Sequence, residues 1–375
     1  MRKAFISPEK YVQGENEILN LGFFVKSYGD SALLIAHQAD VERVKEKLEA
    51  TAEKFGISFV ESNFGGECSR QEVERLKKLA KEKGCSCTIG LGGGKAIDSA
   101  KCVAEGEKLI IVPTIAATDA PTSHSAVLYT PEGEFDDYAY FKSNPNVVLI
   151  DTTVIADAPT RFLVAGMGDA LATYFEARAT QYSFSNVNAG LPCGANVGAT
   201  KPAKGTKAAM ALAKLSYETI LEDGVRAKIA SDSNIVTPAL ENIIEANTLL
   251  SGLGFESGGL AGVHAIHNGL TVLEPTHSFL HGEKVAFSTI CQLVLENAPM
   301  SEIKEVIDFC LNVGLPVCLS DLGVESYTPA DIAKVAAQTC IPEESIHSMP
   351  FPITEEAVAA AIITADKLGT SYKGL

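Results

Sequence analysis

Gly90-Leu91-Gly92-Gly93-Gly94-Lys95 joins two different periodicities. Before it, Thr88 to Leu91 reads as a short apolar strand; after it, Lys95 to Ala104 reads as a helix. Residues without a Cβ at such a turn let backbone N–H groups approach a pyrophosphate, and the helix N-terminus adds the positive end of its dipole. This is not a Walker A loop, because the first glycine is misplaced and Ala96, not Ser or Thr, follows the lysine. Nor is it a regular GxGxxG fingerprint. A tight turn with no ligand is the competing explanation of the glycines if the segment stands alone, and the loops that follow the next strand weaken it.

Outward from the turn the alternation continues. Leu33 to Ala36 precedes a helical stretch from Asp40 to Phe55, Ile57 to Val60 precedes one from Gln71 to Lys83, and Leu109 to Val112 and Val147 to Ile150 read as further strands. Such βαβ alternation means a parallel sheet. Pro113-Thr114 and Thr118-Asp119-Ala120-Pro121-Thr122-Ser123 follow the next strand, so their hydroxyls and carboxylate fall at the carboxyl edge where doubly wound sheets bind ligands.

After Pro159 the pattern becomes helical, with long stretches at Asp169 to Gln181, Lys207 to Glu222, Pro238 to Ser251 and Ser301 to Val313. With 375 residues the chain is too long for one ordinary core. We expect an α/β domain over 1–161 and an α-helical domain over 162–375. Asn188 to Gly205, rich in Gly, Ala, Pro and Lys, reads as an exposed excursion between helices.

A formal net charge of -16 gives nucleic acid and anionic membranes no electrostatic reason to bind. The start, Met1 to Gly14, lacks an apolar segment behind its basic residues, and no apolar run approaches the ~18 residues of a membrane span. Nine scattered cysteines without a CxxC pair fit reduced, mostly buried thiols and a cytoplasmic protein.

Four of the seven histidines, His264, His267, His277 and His281, lie within eighteen residues. Spacings of three and four put each pair on one helical face. Imidazoles with a carboxylate suit zinc or ferrous iron, and a catalytic site offers three protein ligands and an open position. Asp169, in Gly166-Met167-Gly168-Asp169 at the expected start of a helix, is the best carboxylate, against the alternative of a helix N-terminal residue favoured by the dipole. Spacing alone does not say which histidines bind.

Taken together, these segments resemble the iron-containing (group III) alcohol dehydrogenase family, in its glycerol-oxidising branch, over nearly the whole chain. The resemblance rests on Ser7 to Gly14, Phe64 to Ser69, the glycine-rich turn, Pro113 to Pro121, Gly168 to Thr173, Gly254 to Gly259 and His281 to Phe287. It implies a Rossmann-like N-terminal parallel-sheet domain and an all-α C-terminal domain, the dehydroquinate synthase-like architecture. It further implies a zinc site (with iron as the other candidate metal) made by Asp169, His264 and His281, with His267 and His277 behind it or near substrate. NAD would lie on Gly92, Gly93, Gly94, Lys95 and Ala96, with Asp98, Thr114, Thr118, Ser123, Ser125 and Tyr129 around it. Asp119 would reach toward the hydroxyls of glycerol or a related vicinal diol. Relatives in this branch are octamers, which implies a homo-oligomer.

The chain departs from that pattern in three places. His37 stands where the family often carries an acidic residue for the adenosine ribose, which bears on NAD against NADP. His124 enters the loop beside the cofactor residues, and the excursion ending near Gly205 is longer. The competing readings are a relative acting on a phosphorylated substrate, such as glycerol-1-phosphate dehydrogenase or dehydroquinate synthase, and a cofactor-binding protein without catalysis. The first would need several Lys or Arg in the cleft, where only Lys95, Lys284 and Arg161 are at hand.

Overall fold

The computed structural model describes residues 1–105, 107–190 and 202–374. Six strands, β1 (Lys10–Gly14), β2 (Ser31–Ile35), β3 (Ser58–Glu61), β4 (Cys87–Gly92), β5 (Leu109–Pro113) and one at Val147–Asp151, form a parallel sheet. Between the last two lies an antiparallel hairpin, β6 (Ser125–Tyr129) and β7 (Phe135–Tyr140), which makes Val147–Asp151 β8. The sheet order is β1-β8-β5-β4-β2-β3. All five strands expected in the N-terminal half are present, as β2, β3, β4, β5 and β8. Strand β1 and the hairpin carried no sequence expectation.

The four inner strands, β2, β4, β5 and β8, are buried on both faces, and the period-2 alternation splits their side chains between two cores. Leu34, Ile89, Leu91, Ile110, Val112, Val147 and Leu149 face one, with Val41, Val44 and Leu48 of α2 (Gln38–Phe55), which follows a short α1 (Leu21–Lys26). Leu33, Ile35, Ile111, Val148 and Ile150 face the other, with Val73 and Leu76 of α3 (Arg70–Lys83) and Ile97 and Ala100 of α4 (Gly94–Val103). This second core runs on without a break into the helices that follow.

From Thr152 on, the described elements are helical: α5 (Thr152–Ala156), α6 (Thr160–Ser183), α7 (Lys207–Asp232), α8 (Pro238–Glu245), a π-helical turn (Ala246–Leu250), α9 (Ser251–Gly258), α10 (Gly262–Leu270), α11 (His281–Leu295), α12 (Met300–Val313), α13 (Pro329–Thr339) and α14 (Glu355–Tyr372), with short 3-10 turns. The excursion expected over Asn188 to Gly205 lies mostly outside the described residues.

The sequence expectation for Asp169 needs correction. Helix α6 starts nine residues earlier, so Asp169 lies mid-helix and its carboxylate does not cap an N-terminus. Gly166 and Gly168 are not start signals; they are places where another backbone comes too close for a Cβ. A methyl at Gly166 would sit 2.0 Å from the Ala116 carbonyl oxygen, and one at Gly168 2.3 Å from that of Gly282. The same contact seen from α11 puts a Gly282 Cβ 1.8 Å from the Ala165 carbonyl oxygen.

Candidate active site

That backbone crossing positions two candidate ligand side chains. Asp169 follows Gly168 on α6, and His281, the first residue of α11, precedes Gly282. His281 Nε2 stands 3.1 Å from Asp169 Oδ1, and His264 Nε2, from α10, 3.5 Å from the same oxygen. Ligand atoms of these three residues all lie within 4.8 Å of one another. Two ligands about 2.0 to 2.1 Å from a tetrahedral metal are about 3.3 Å apart, so the observed separations are those of a coordination edge.

Asp169 is buried. Burial would raise its pKa, yet His281 and His264 hold the carboxyl well below the usual range, so it is ionised. Burial depresses His264, but Glu176 and Asp169 overcome it and raise that imidazole well above its ordinary value. Glu176, fully buried on α6, accepts from His264 Nδ1 at 2.6 Å and from the backbone N–H groups of Ala261 and His264 at 2.8 and 3.0 Å. Glu176 was not among the sequence candidates. It falls seven residues, two helical turns, after Asp169 and therefore on the same face, which is the signal that could have found it.

The four histidines do not divide into two helical pairs. His264 and His267 share α10, but His277 belongs to a 3-10 turn (Glu274–Ser278), so it is not on one helical face with His281. His277 is exposed and its Nε2 donates to the Thr271 carbonyl at 2.7 Å. His267 is buried, with Nε2 3.1 Å from His281 Nδ1. Burial, helped by His281 and Lys284, pushes its pKa well below the usual value, leaving it neutral.

Asp119 reaches this cluster from the loop after β5. Its N–H donates to Asp169 Oδ2 at 3.4 Å, and its carboxylate accepts from Ser251 Oγ at 2.7 Å. Burial and the Asp169 charge raise its pKa well above the carboxylate range. The loop is held from below by Lys101, a buried side chain not singled out in the sequence, whose ammonium donates to the Ala120 and Ser125 carbonyls and to Ser123 Oγ. Asp98 sits 3.5 Å from that ammonium and accepts from the Val127 N–H at 3.1 Å, so it anchors the hairpin. From the helical side, Glu256 accepts from the N–H and Nδ1 of buried His124, while Asn144 bridges Glu256 Oε2 and the Thr122 carbonyl. The residue that departs from the family pattern at 124 is thus an anchor to α9.

At the glycine-rich turn, Gly92 has φ 141°, a conformation that excludes other residues, and Gly90 lets α4 approach: a Cβ there would meet Ala100 Cβ at 2.7 Å. Gly93 caps α4 without a side-chain hydrogen bond, and a Cβ at Gly94 would project into open space. Uncapped N–H groups with room in front are the anion-binding feature the sequence indicated. Ala96 is buried behind them, Lys95 pairs with Glu67 and lies over the Tyr129 ring at 5.7 Å. Thr114 donates from Oγ1 to Asp40 at 2.7 Å, Thr118 Oγ1 accepts from the Ala120 N–H, and Ser125 Oγ lies 3.4 Å from Ser123 Oγ. His37 leads into α2 and packs edge-on against Phe64 at 5.0 Å. A cavity of about 240 Å³ opens there, lined by Ala36, Gln38, Ser62 and Phe64 among others. Asp40 is another residue sequence reasoning passed over; its carboxylate would be 3.2 Å from a Gly92 Cβ.

The glycine-rich edge of a parallel sheet facing a carboxylate–histidine cluster on helices matches known proteins along its whole length. A glycerol dehydrogenase from Citrobacter freundii is 47% identical over 99% of this chain and 99% of its own. The chain belongs to the iron-containing alcohol dehydrogenase family. The family model itself matches residues 8–152. A glycerol dehydrogenase from Pseudomonas putida is 46% identical with the same coverage, and the crystal structure of glycerol dehydrogenase from Schizosaccharomyces pombe superposes with a TM-score of 0.92 at 37% identity, over 99% of this chain and 92% of that one. These matches bear out the family and the pairing of an N-terminal α/β domain with a C-terminal α domain.

Proposed function

We propose that this chain oxidises glycerol and related vicinal diols such as 1,2-propanediol to the hydroxyketone, dihydroxyacetone in the case of glycerol, with NAD as acceptor and zinc held by Asp169, His264 and His281. The observation that carries the reading is the meeting of one ionised, buried carboxylate oxygen and two imidazole nitrogens at coordination-edge distances. The donor set fits a divalent metal, zinc or ferrous iron, because two imidazoles and one carboxylate leave a position open for substrate. When bound, the metal lowers the pKa of an alcohol oxygen and NAD takes up the hydride.

The chain's own residues supply orientation and a water-poor setting. Uncapped N–H groups at Gly94 and Lys95 suit the pyrophosphate, and we assign Thr114, Thr118, Ser123, Ser125 and Tyr129 to the same NAD site. Asp119, held by Ser251 and shifted upward in pKa by burial and the Asp169 charge, can hydrogen-bond one substrate hydroxyl. We divide the chain at residue 161, between a cofactor domain and a metal and substrate domain. Fully free cysteines among the eight described fit a cytoplasmic setting, and a homo-oligomer follows the relatives. Among the described residues, no helix is long and apolar enough to cross a membrane.

A phosphorylated substrate is disfavoured by the cations themselves. Lys95 is engaged by Glu67 and Arg161 by a two-point contact with Glu283, while Lys284 is buried. The test is an assay of metal-analysed protein with NAD and glycerol at alkaline pH, with NADP, 1,2-propanediol and glycerol 1-phosphate in parallel. Turnover of glycerol with NAD and one zinc per chain supports the reading. Absence of turnover with any diol, or preference for the phosphorylated substrate, overturns it.

A further inference from the structure

His281 has two ring nitrogens, and only one can face the metal. Its Nε2 is directed at Asp169, and its Nδ1 is 3.1 Å from His267 Nε2. Two neutral imidazoles that meet nitrogen to nitrogen need one donor and one acceptor, so the tautomer of one dictates that of the other. What dictates His267 lies further out. Its Nδ1 meets Asn268 Oδ1 at 3.0 Å, and the Asn268 amide nitrogen donates to both oxygens of Glu344, at 2.9 and 3.1 Å.

A carboxylate accepts and cannot donate, so Glu344 compels Asn268 to present its NH2 outward and its carbonyl oxygen inward. The carbonyl oxygen then takes the proton of His267 Nδ1, which leaves His267 Nε2 bare. The bare nitrogen accepts from His281 Nδ1–H, and the lone pair of His281 is left at Nε2, facing Asp169. We propose that Glu344 is a positioning residue that, through Asn268 and His267, fixes the metal-binding tautomer of His281. The proposal rests on the zinc reading above. It pairs with the shorter device on the other side, where Glu176 touches His264 directly. Each imidazole of the cluster thus has its proton assigned by an outlying carboxylate, one in a single step and one in three.

Without Glu344 the Asn268 amide keeps only the Tyr138 hydroxyl on that side, which donates as readily as it accepts, so the amide can turn and present NH2 to His267; His267 then protonates at Nε2 and drives the His281 lone pair away from the metal. The test is zinc affinity by competition with a chromophoric chelator, at fixed pH, on full-length wild type, Glu344→Ala, and the double variant Glu344→Ala with Asn268→Asp. Loss of a partner behind a ligand typically costs about 10- to 100-fold in metal affinity. Glu344→Ala is expected to weaken zinc at least about 10-fold. A carboxylate at 268 accepts from His267 whichever way it turns, so the double variant should return to near the wild-type affinity. A role of Glu344 in merely holding its own loop would not be rescued from position 268. Unchanged affinity in Glu344→Ala overturns the proposal, as does a loss that the double variant fails to restore. A wild-type chain that takes up no zinc would instead overturn the proposed function, and this inference with it.

Discussion

Glu176 Oε2 lies 2.6 Å from His264 Nδ1, and the other oxygen of the same carboxylate receives two backbone N–H groups at the start of α10. One buried side chain therefore sets both the position of the helix and the orientation of the imidazole it carries. Glu176→Gln keeps the shape but lets an NH2 face either ring or backbone donors. We expect zinc affinity to fall about 10- to 100-fold, with loss of activity restored in part by excess zinc. Chelator competition checks this, and an unchanged affinity would show that His264 needs no orienting partner.

Removal of a ligand should act differently. His281 is half-buried at the first position of α11 and its backbone is held by the crossing with α6, so His281→Ala should leave the far-UV spectrum intact while abolishing stoichiometric zinc and turnover. Full activity in a zinc-free variant would sink the metal assignment.

Gly94 allows cofactor binding to be separated from folding. Open space lies where its Cβ would go, and alanine is favoured over glycine within a helix by about 1 kcal/mol. Gly94→Ala should keep or slightly raise Tm, yet weaken NADH binding by roughly tenfold, about 1.4 kcal/mol. Fluorescence titration reads this directly. Gly92→Ala, at φ 141° and against Asp40, should instead lose stability.

Stability in acid should depend on Asp151 at the end of β8. Burial would raise its pKa, but bonds from Thr153 and Lys47 and from the Ile18 N–H lower it. A carboxyl depressed in the folded state contributes fully above its unfolded pKa, about 3.9, and that contribution disappears as pH falls through the lower folded value. Asp151→Asn should therefore lower Tm at neutral pH and converge on wild type as pH falls through that lowered value. A constant difference in Tm across that range would contradict the assignment.

The sheet was legible because its strands are continuous apolar runs separated by amphipathic helices, and Val41, Val44 and Leu48 recur at helical spacing. The hairpin was not, since Tyr138 and Phe135 lie on its exposed strand and little alternation survives, although the turn at Thr130 to Gly133 was there to be read. Asp169, His264 and His281 stood out by residue type. Their partners did not: Glu176 is marked only by its spacing of seven from Asp169, while Glu256 and Glu344 gain their roles through tertiary contact. The misplaced start of α6 has the same origin, because glycine marks both helix ends and close helix crossings, and a single sequence does not distinguish them.

The crossing of Gly168 and Gly282 leaves no side chain between the two backbones from which Asp169 and His281 project. Peptide units are far stiffer than packed methyl groups, so the spacing of these two ligands is insulated from drift in the surrounding core. Residues such as Leu171, Phe175 and Phe287 can then be exchanged for others of similar volume without detuning the pair, whereas the two glycines cannot be exchanged at all. Sequence freedom in the helical half vanishes at such backbone contacts and is limited by volume at the core positions around them.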